Sequence, residues 1–147
     1  MFEWNTVITN IAALTIAGVT VLDHAPQFSQ NCRVPALYPS YSPTVDLNSV
    51  ERLSACVSGN AFKRAKYTIN YVYLHIETTQ STDNSQYETA IRAAMSNIFT
   101  AIANADTDLG VYEVIPTGFS IAEKLIEVGG RTYLGGQVTL EATEYIN

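Results

Sequence analysis

Few residues in this chain have the type and spacing to do chemistry. Asp23 and His24 stand side by side at the end of an apolar run, and a carboxylate next to an imidazole is a candidate acid–base pair. His75 and Glu77 are two residues apart in a strand-like stretch, so they share one face and form a second candidate. Glu141 and Glu144 are close in sequence, but nothing marks them as a paired set of carboxylates. Each has an ordinary reading: Asp23-His24 as a turn beside an exposed histidine, His75 and Glu77 as residues with cross-strand partners, and Glu141 and Glu144 as the solvent face and frayed end of the last strand. No Walker loop, G-x-S-x-G or HExxH motif occurs. Cys32 and Cys56 make no CxxC pair, and no metal-type spacing ties them to His24 or His75. They are a disulfide or two free thiols, with thiols the simpler reading. The expectation is a protein that is not an enzyme, with no catalytic residue, metal or cofactor.

Composition narrows the classes further. The chain has 147 residues, 47% apolar and 15% charged, with a net charge of -6. That length suits a single domain spanning 1–147, able to bury roughly 68–70% of its unfolded surface without metal or disulfide. The charged share is below the usual ~25%, which hints at surface that is neutral or available to partners. The acidic balance argues against a general nucleic-acid binder, which needs phosphate-neutralising cations. The one basic cluster, Lys63, Arg64 and Lys66, reads as solvated surface. The N-terminus, with Glu3 and no basic region, does not read as a signal peptide. The most apolar segment, 11–22, is far short of the ~20 residues a membrane-spanning helix needs.

The elements that would position these residues follow from periodicity. Trp4, Val7, Ile8, Ile11 and Leu14 recur at spacings of three and four, predicting an amphipathic helix over about 3–16. A short strand over 19–22 follows. The segment 24–48 holds Pro26, Pro35, Pro39 and Pro43, and proline lacks a backbone donor, so a long loop is expected here. A strand is possible over 50–57. A strong strand over 66–77 places Val72, Leu74 and Ile76 on one face and Tyr67, Ile69, Tyr71, Tyr73 and His75 on the other. Ser85 and Glu88 match a capping box. It opens a helix to about 104 with the stripe Ile91, Met95, Ile98, Ile102. A strand over 111–115 is expected to stop at Pro116, and 119–128 suits a further strand, with 122–126 also compatible with helix. Gly129-Gly130 predicts a hairpin turn. The last strand, 133–146, alternates Val138, Leu140 and Ala142 with polar residues. The sum is an α+β fold: a mainly antiparallel twisted sheet, two packed helices and a long central loop.

That loop supplies the candidate binding residues. Phe28, Leu37, Tyr38 and Tyr41 are apolar anchors in a segment stiffened by proline. Stiffening lowers the entropy lost on docking, so these four are expected to form a protein interface. The nine tyrosines fit the same picture, since tyrosine suits surfaces that are wet and contact-making, although at least half serve as ordinary core and sheet residues.

As a pattern of elements the chain resembles the tail terminator and tail-completion (neck) proteins of tailed bacteriophages. The features are the N-terminal helix leading into Ala17-Gly18-Val19-Thr20-Val21 and the segment Arg33-Val34-Pro35-Ala36-Leu37-Tyr38-Pro39. The strand ending at Glu77, the helix from Ser85, and Tyr133-Leu134-Gly135-Gly136-Gln137-Val138 complete them. The resemblance implies a virion protein forming a ring, usually of six copies, between tail tube and head connector. It implies partners in the tail tube and head–tail connector proteins, and DNA passing through an acidic lumen without specific binding. Another virion component, or a small enzyme or ligand-binding domain near Asp23, His24 and His75, is the alternative. The 24–48 segment departs from the family pattern.

Overall fold

The computed structural model describes residues 2–26, 33–40, 45–52, 63–78, 86–122 and 125–146. In chain order the elements are helix α1 (Trp4–Ala12) and strands β1 (Thr20–Val21), β2 (Ala36–Pro39), β3 (Val45–Arg52) and β4 (Lys63–Glu77). Helix α2 (Glu88–Asn104) and strands β5 (Glu113–Ile121), β6 (Ile126–Val128) and β7 (Arg131–Ile146) complete the set. The strands form one sheet in the order β1-β2-β4-β7-β5, with β3 added beside β4 and β6 beside β7. Among the described residues, only the β1–β2 pairing is parallel. The fold is therefore α+β with a largely antiparallel sheet, as expected.

Both helices contribute to one core against one face of this sheet. Val7, Ile8 and Ile11 of α1 and Ile91, Met95, Ile98 and Ile102 of α2 are buried in it. From the sheet come Tyr67, Ile69, Tyr71 and Tyr73 of β4 and Val138, Leu140 and Ala142 of β7. Each such aliphatic side chain stabilises the fold by roughly 1.5–3 kcal/mol on full burial. A smaller cluster of Tyr38, Leu74 and Tyr133 lies apart from this core. Residues successive along a strand face opposite ways, so Leu37 joins the helix side and Tyr38 the other.

The long-loop expectation is corrected for its second half. Residues 36–39 form β2, paired antiparallel with β4 from Ala36↔Leu74 to Pro39↔Tyr71. The prolines permit this because Pro35 precedes the strand and Pro39 is its last residue, where a missing donor costs least. Strand β3 begins at Val45, earlier than expected, and residues 53–57 lie outside the described set. Proline also fails to end β5. The strand runs through Pro116 at the sheet edge and shifts register before Gly118, an arrangement typical of edge bulges.

Helix starts differ too. The helix α2 begins at Glu88 after Tyr87, without a side-chain cap. Glu88 is thus the first helical residue, not the third that a capping box requires, and Ser85 lies outside the described residues. In that position Glu88 meets the positive helix end and pairs with Arg92 one turn on. Helix α1 stops at Ala12, short of the expected 16, and Ile16 and Val19 then bridge around Gly18, whose φ is 73°. The Gly129-Gly130 turn is as expected: both residues have positive φ, 59° and 78°, and join Val128 to Arg131.

Candidate functional site

Among the polar groups, most of the sequence candidates find local partners. His24 Nδ1 lies 2.5 Å from Asp23 Oδ1, and both side chains are more than half exposed. The hydrogen bond from His24 holds the Asp23 carboxyl below its ordinary range. His75 and Glu77 do not form a pair. His75 Nδ1 meets Tyr73 Oη at 2.7 Å, and Glu77 reaches across to Arg131 at 3.2 Å. Burial lowers the His75 pKa and pushes the Tyr73 hydroxyl up to about 12. The basic cluster is largely neutralised: Arg64 pairs with Glu51, and Lys66 lies 3.7 Å from Glu141.

Glu144 corrects the frayed-end reading. It is 6% exposed and accepts the backbone N–H of Glu3 at 3.0 Å and the Tyr67 hydroxyl at 3.2 Å. Since α1 has no side-chain cap of its own, a carboxylate 141 residues away in sequence caps it, where negative charge is favourable. Burial first, then the Glu144 charge, raises the Tyr67 pKa strongly. This cluster ties the start of α1 to β4 and β7. No group of three or more metal-ligating side chains occurs among the described residues.

The four interface candidates separate. Leu37 and Tyr38 are 0% and 4% exposed, so they pack on their own domain and are withdrawn as partner contacts. Phe28 and Tyr41, with Cys32 and Cys56, lie outside the described residues.

Exposed apolar surface lies elsewhere. Among the described residues, the large hydrophobic side chains left exposed are Leu47, Val50, Tyr112, Ile115, Phe119 and Tyr145. Leu47 and Val50 are on β3, Ile115 and Phe119 on β5, and Tyr112 immediately precedes β5. Tyr145, near the end of β7, packs edge-on against Tyr112 with ring centres 4.8 Å apart. These exposed apolar residues therefore lie at two rims of the sheet, Leu47, Val50 and Phe119 on its helix side and Ile115 and Tyr145 on the other. Among the described residues both rims are edges, because β3 pairs there only with β4 and β5 only with β7.

Sequence reasoning missed these residues. Exposure on a strand depends on which element lies beside it in the sheet, and the proline-rich pattern places residues 45–48 in a loop. The usable signal was the alternation of Val45 and Leu47 with polar residues, with Val50 three residues on, across a register shift between Leu47 and Ser49.

No known protein-family model and no curated protein sequence matches this chain.

Proposed function

We propose that this chain is a structural subunit that works by binding other proteins, and that it assembles with copies of itself as a ring-forming component of a phage tail neck. The observation that carries this reading is the gathering of exposed apolar side chains on the two sheet edges. Monomeric proteins normally scatter single apolar residues over their surface, whereas a rim-like concentration marks a contact surface. The net charge of -6 suits a passage through which DNA slides without being gripped. The pairing of Arg64 and Lys66 with carboxylates removes two of the cations that would hold phosphate. The α+β arrangement agrees with the element pattern on which the phage resemblance rests. Electron microscopy of the purified chain tests the reading: annular particles are expected, and dispersed monomers at every concentration would refute it.

A further inference from the structure

We infer that copies of this chain join head to tail, β3 of one copy pairing with β5 of the next to continue the sheet. The inference rests on the self-assembly proposed above and names the surface that performs it.

Strand direction comes first. The pairings β3–β4, β4–β7 and β7–β5 are all antiparallel, so β3 and β5 run in opposite directions. When a second copy is placed beside the first by rotation about an axis along the strands, its β3 meets β5 antiparallel. The hydrogen-bonding alternation then continues without a break.

The side-chain faces agree as well. Leu47 stands opposite Tyr67 and Val50 opposite Ala65, and directly paired residues share a face. Tyr67 lies in the core on the helix side, so Leu47 and Val50 point to that side beyond the edge of the core. On β5, Phe119 stands opposite the core residue Val138 and meets Phe99 of α2 edge-on at 6.1 Å. The row Leu47–Tyr67–Ala142–Val114 crosses all four strands in register. Joining the edges therefore brings apolar side chains from both copies onto one face, where they extend the helix-side core.

Two-fold alternatives fit less well. Pairing β3 with a second β3 so that Leu47 meets Val50 also sets Asp46 against Glu51 twice, and like charges directly opposite are destabilising. Pairing β5 with a second β5 brings two copies of Pro116, each without a donor, into one seam. Head-to-tail joining contains Pro116 once per seam, and with Leu47 opposite Phe119 it sets Asp46 against Ser120 and Glu51 against Ile115, so no carboxylates are paired. Such a heterologous contact closes into a ring when the rotation closes.

The test uses light-scattering mass of the full chain and two charged variants. One carries Leu47→Lys with Val50→Lys; the other carries Ile115→Lys with Phe119→Lys. Circular dichroism checks that each is folded, and Phe119→Lys alone serves as a milder second β5 variant. The wild type is expected to be oligomeric and each variant monomeric, with association roughly a hundredfold weaker or more, the scale of losing interface hot spots. Mixing the two variants should restore a one-to-one dimer, because one intact β5 then meets one intact β3. An oligomeric wild type whose variants still assemble overturns the edge contact and leaves the ring reading standing. A β5 variant that still dimerises while the β3 variant does not shows two-fold β3 pairing and also overturns it. A wild type that is monomeric throughout overturns both readings.

Discussion

Replacing Gly135 with alanine adds a single methyl group near one end of the longest strand pairing. A Cβ at that position lies 1.9 Å from the Tyr73 carbonyl oxygen and 3.1 Å from the Leu74 Cα. Non-bonded heavy atoms sit comfortably at about 3.5–4.0 Å, so β4 and β7 must part by more than an ångström locally. The obstacle is backbone, and no rotamer change relieves it. The site is also where β4 shifts register, between Leu74 and Ile76, opposite Gly135 and Leu134. Overpacking of a core commonly costs 1–3 kcal/mol and occasionally more, and a rigid backbone contact belongs at the upper end, roughly 3 kcal/mol. With a urea slope of roughly 2 kcal/mol per M, the unfolding midpoint of Gly135→Ala falls by about 1.5 M. Equilibrium urea unfolding followed by circular dichroism measures this directly. A midpoint within about 0.25 M of wild type would refute the close approach of the two strands.

Other perturbations have equally definite outcomes. Ile98→Ala empties a fully buried position on the α2 stripe and should cost roughly 2–5 kcal/mol in the same titration; a loss under ~0.5 kcal/mol would mean the stripe is not core. Glu144→Ala leaves the Tyr67 hydroxyl and the Glu3 N–H without their acceptor and should cost about 1–3 kcal/mol, read by thermal unfolding, with amide exchange at the start of α1 speeding up. The His75 pKa is lowered by burial, so the unfolded chain binds its proton first. Stability on this account is intact above the ordinary histidine value and declines as pH falls from there toward the lower folded value. Melting temperatures of His75→Gln should fall less than those of wild type across that window, and identical slopes would show that His75 does not contribute. Tyr38→Ser removes a buried ring from the Tyr38–Leu74–Tyr133 cluster and should lower the melting temperature of the isolated subunit; an unchanged value would restore Tyr38 as a partner contact.

What could be read from the sequence depended on how local the determinants were. The α2 stripe and the alternation in β7 are set by residues three, four or two apart, and both patterns stand as expected although α2 starts later than its capping signal suggests. The Gly129-Gly130 turn was equally legible, because only its own backbone geometry decides it. The same parity that buries Val138, Leu140 and Ala142 also buries Glu144. Its polar chemistry nevertheless suggested solvent, since its partners Glu3 and Tyr67 are remote in sequence. Strand β2 was hidden by proline density, although the prolines sit only at its borders. The apolar edges were the least legible feature. Leu47 and Phe119 resemble core residues in sequence, and only the strand order β3-β4-β7-β5 shows that they end the sheet instead of filling it.

The most direct test of a self-assembling subunit is the light-scattering mass of the purified chain across a range of concentrations. The account predicts an oligomer at a whole-number multiple of 16.1 kDa that dissociates on dilution. A mass that stays at 16.1 kDa at every concentration would contradict it.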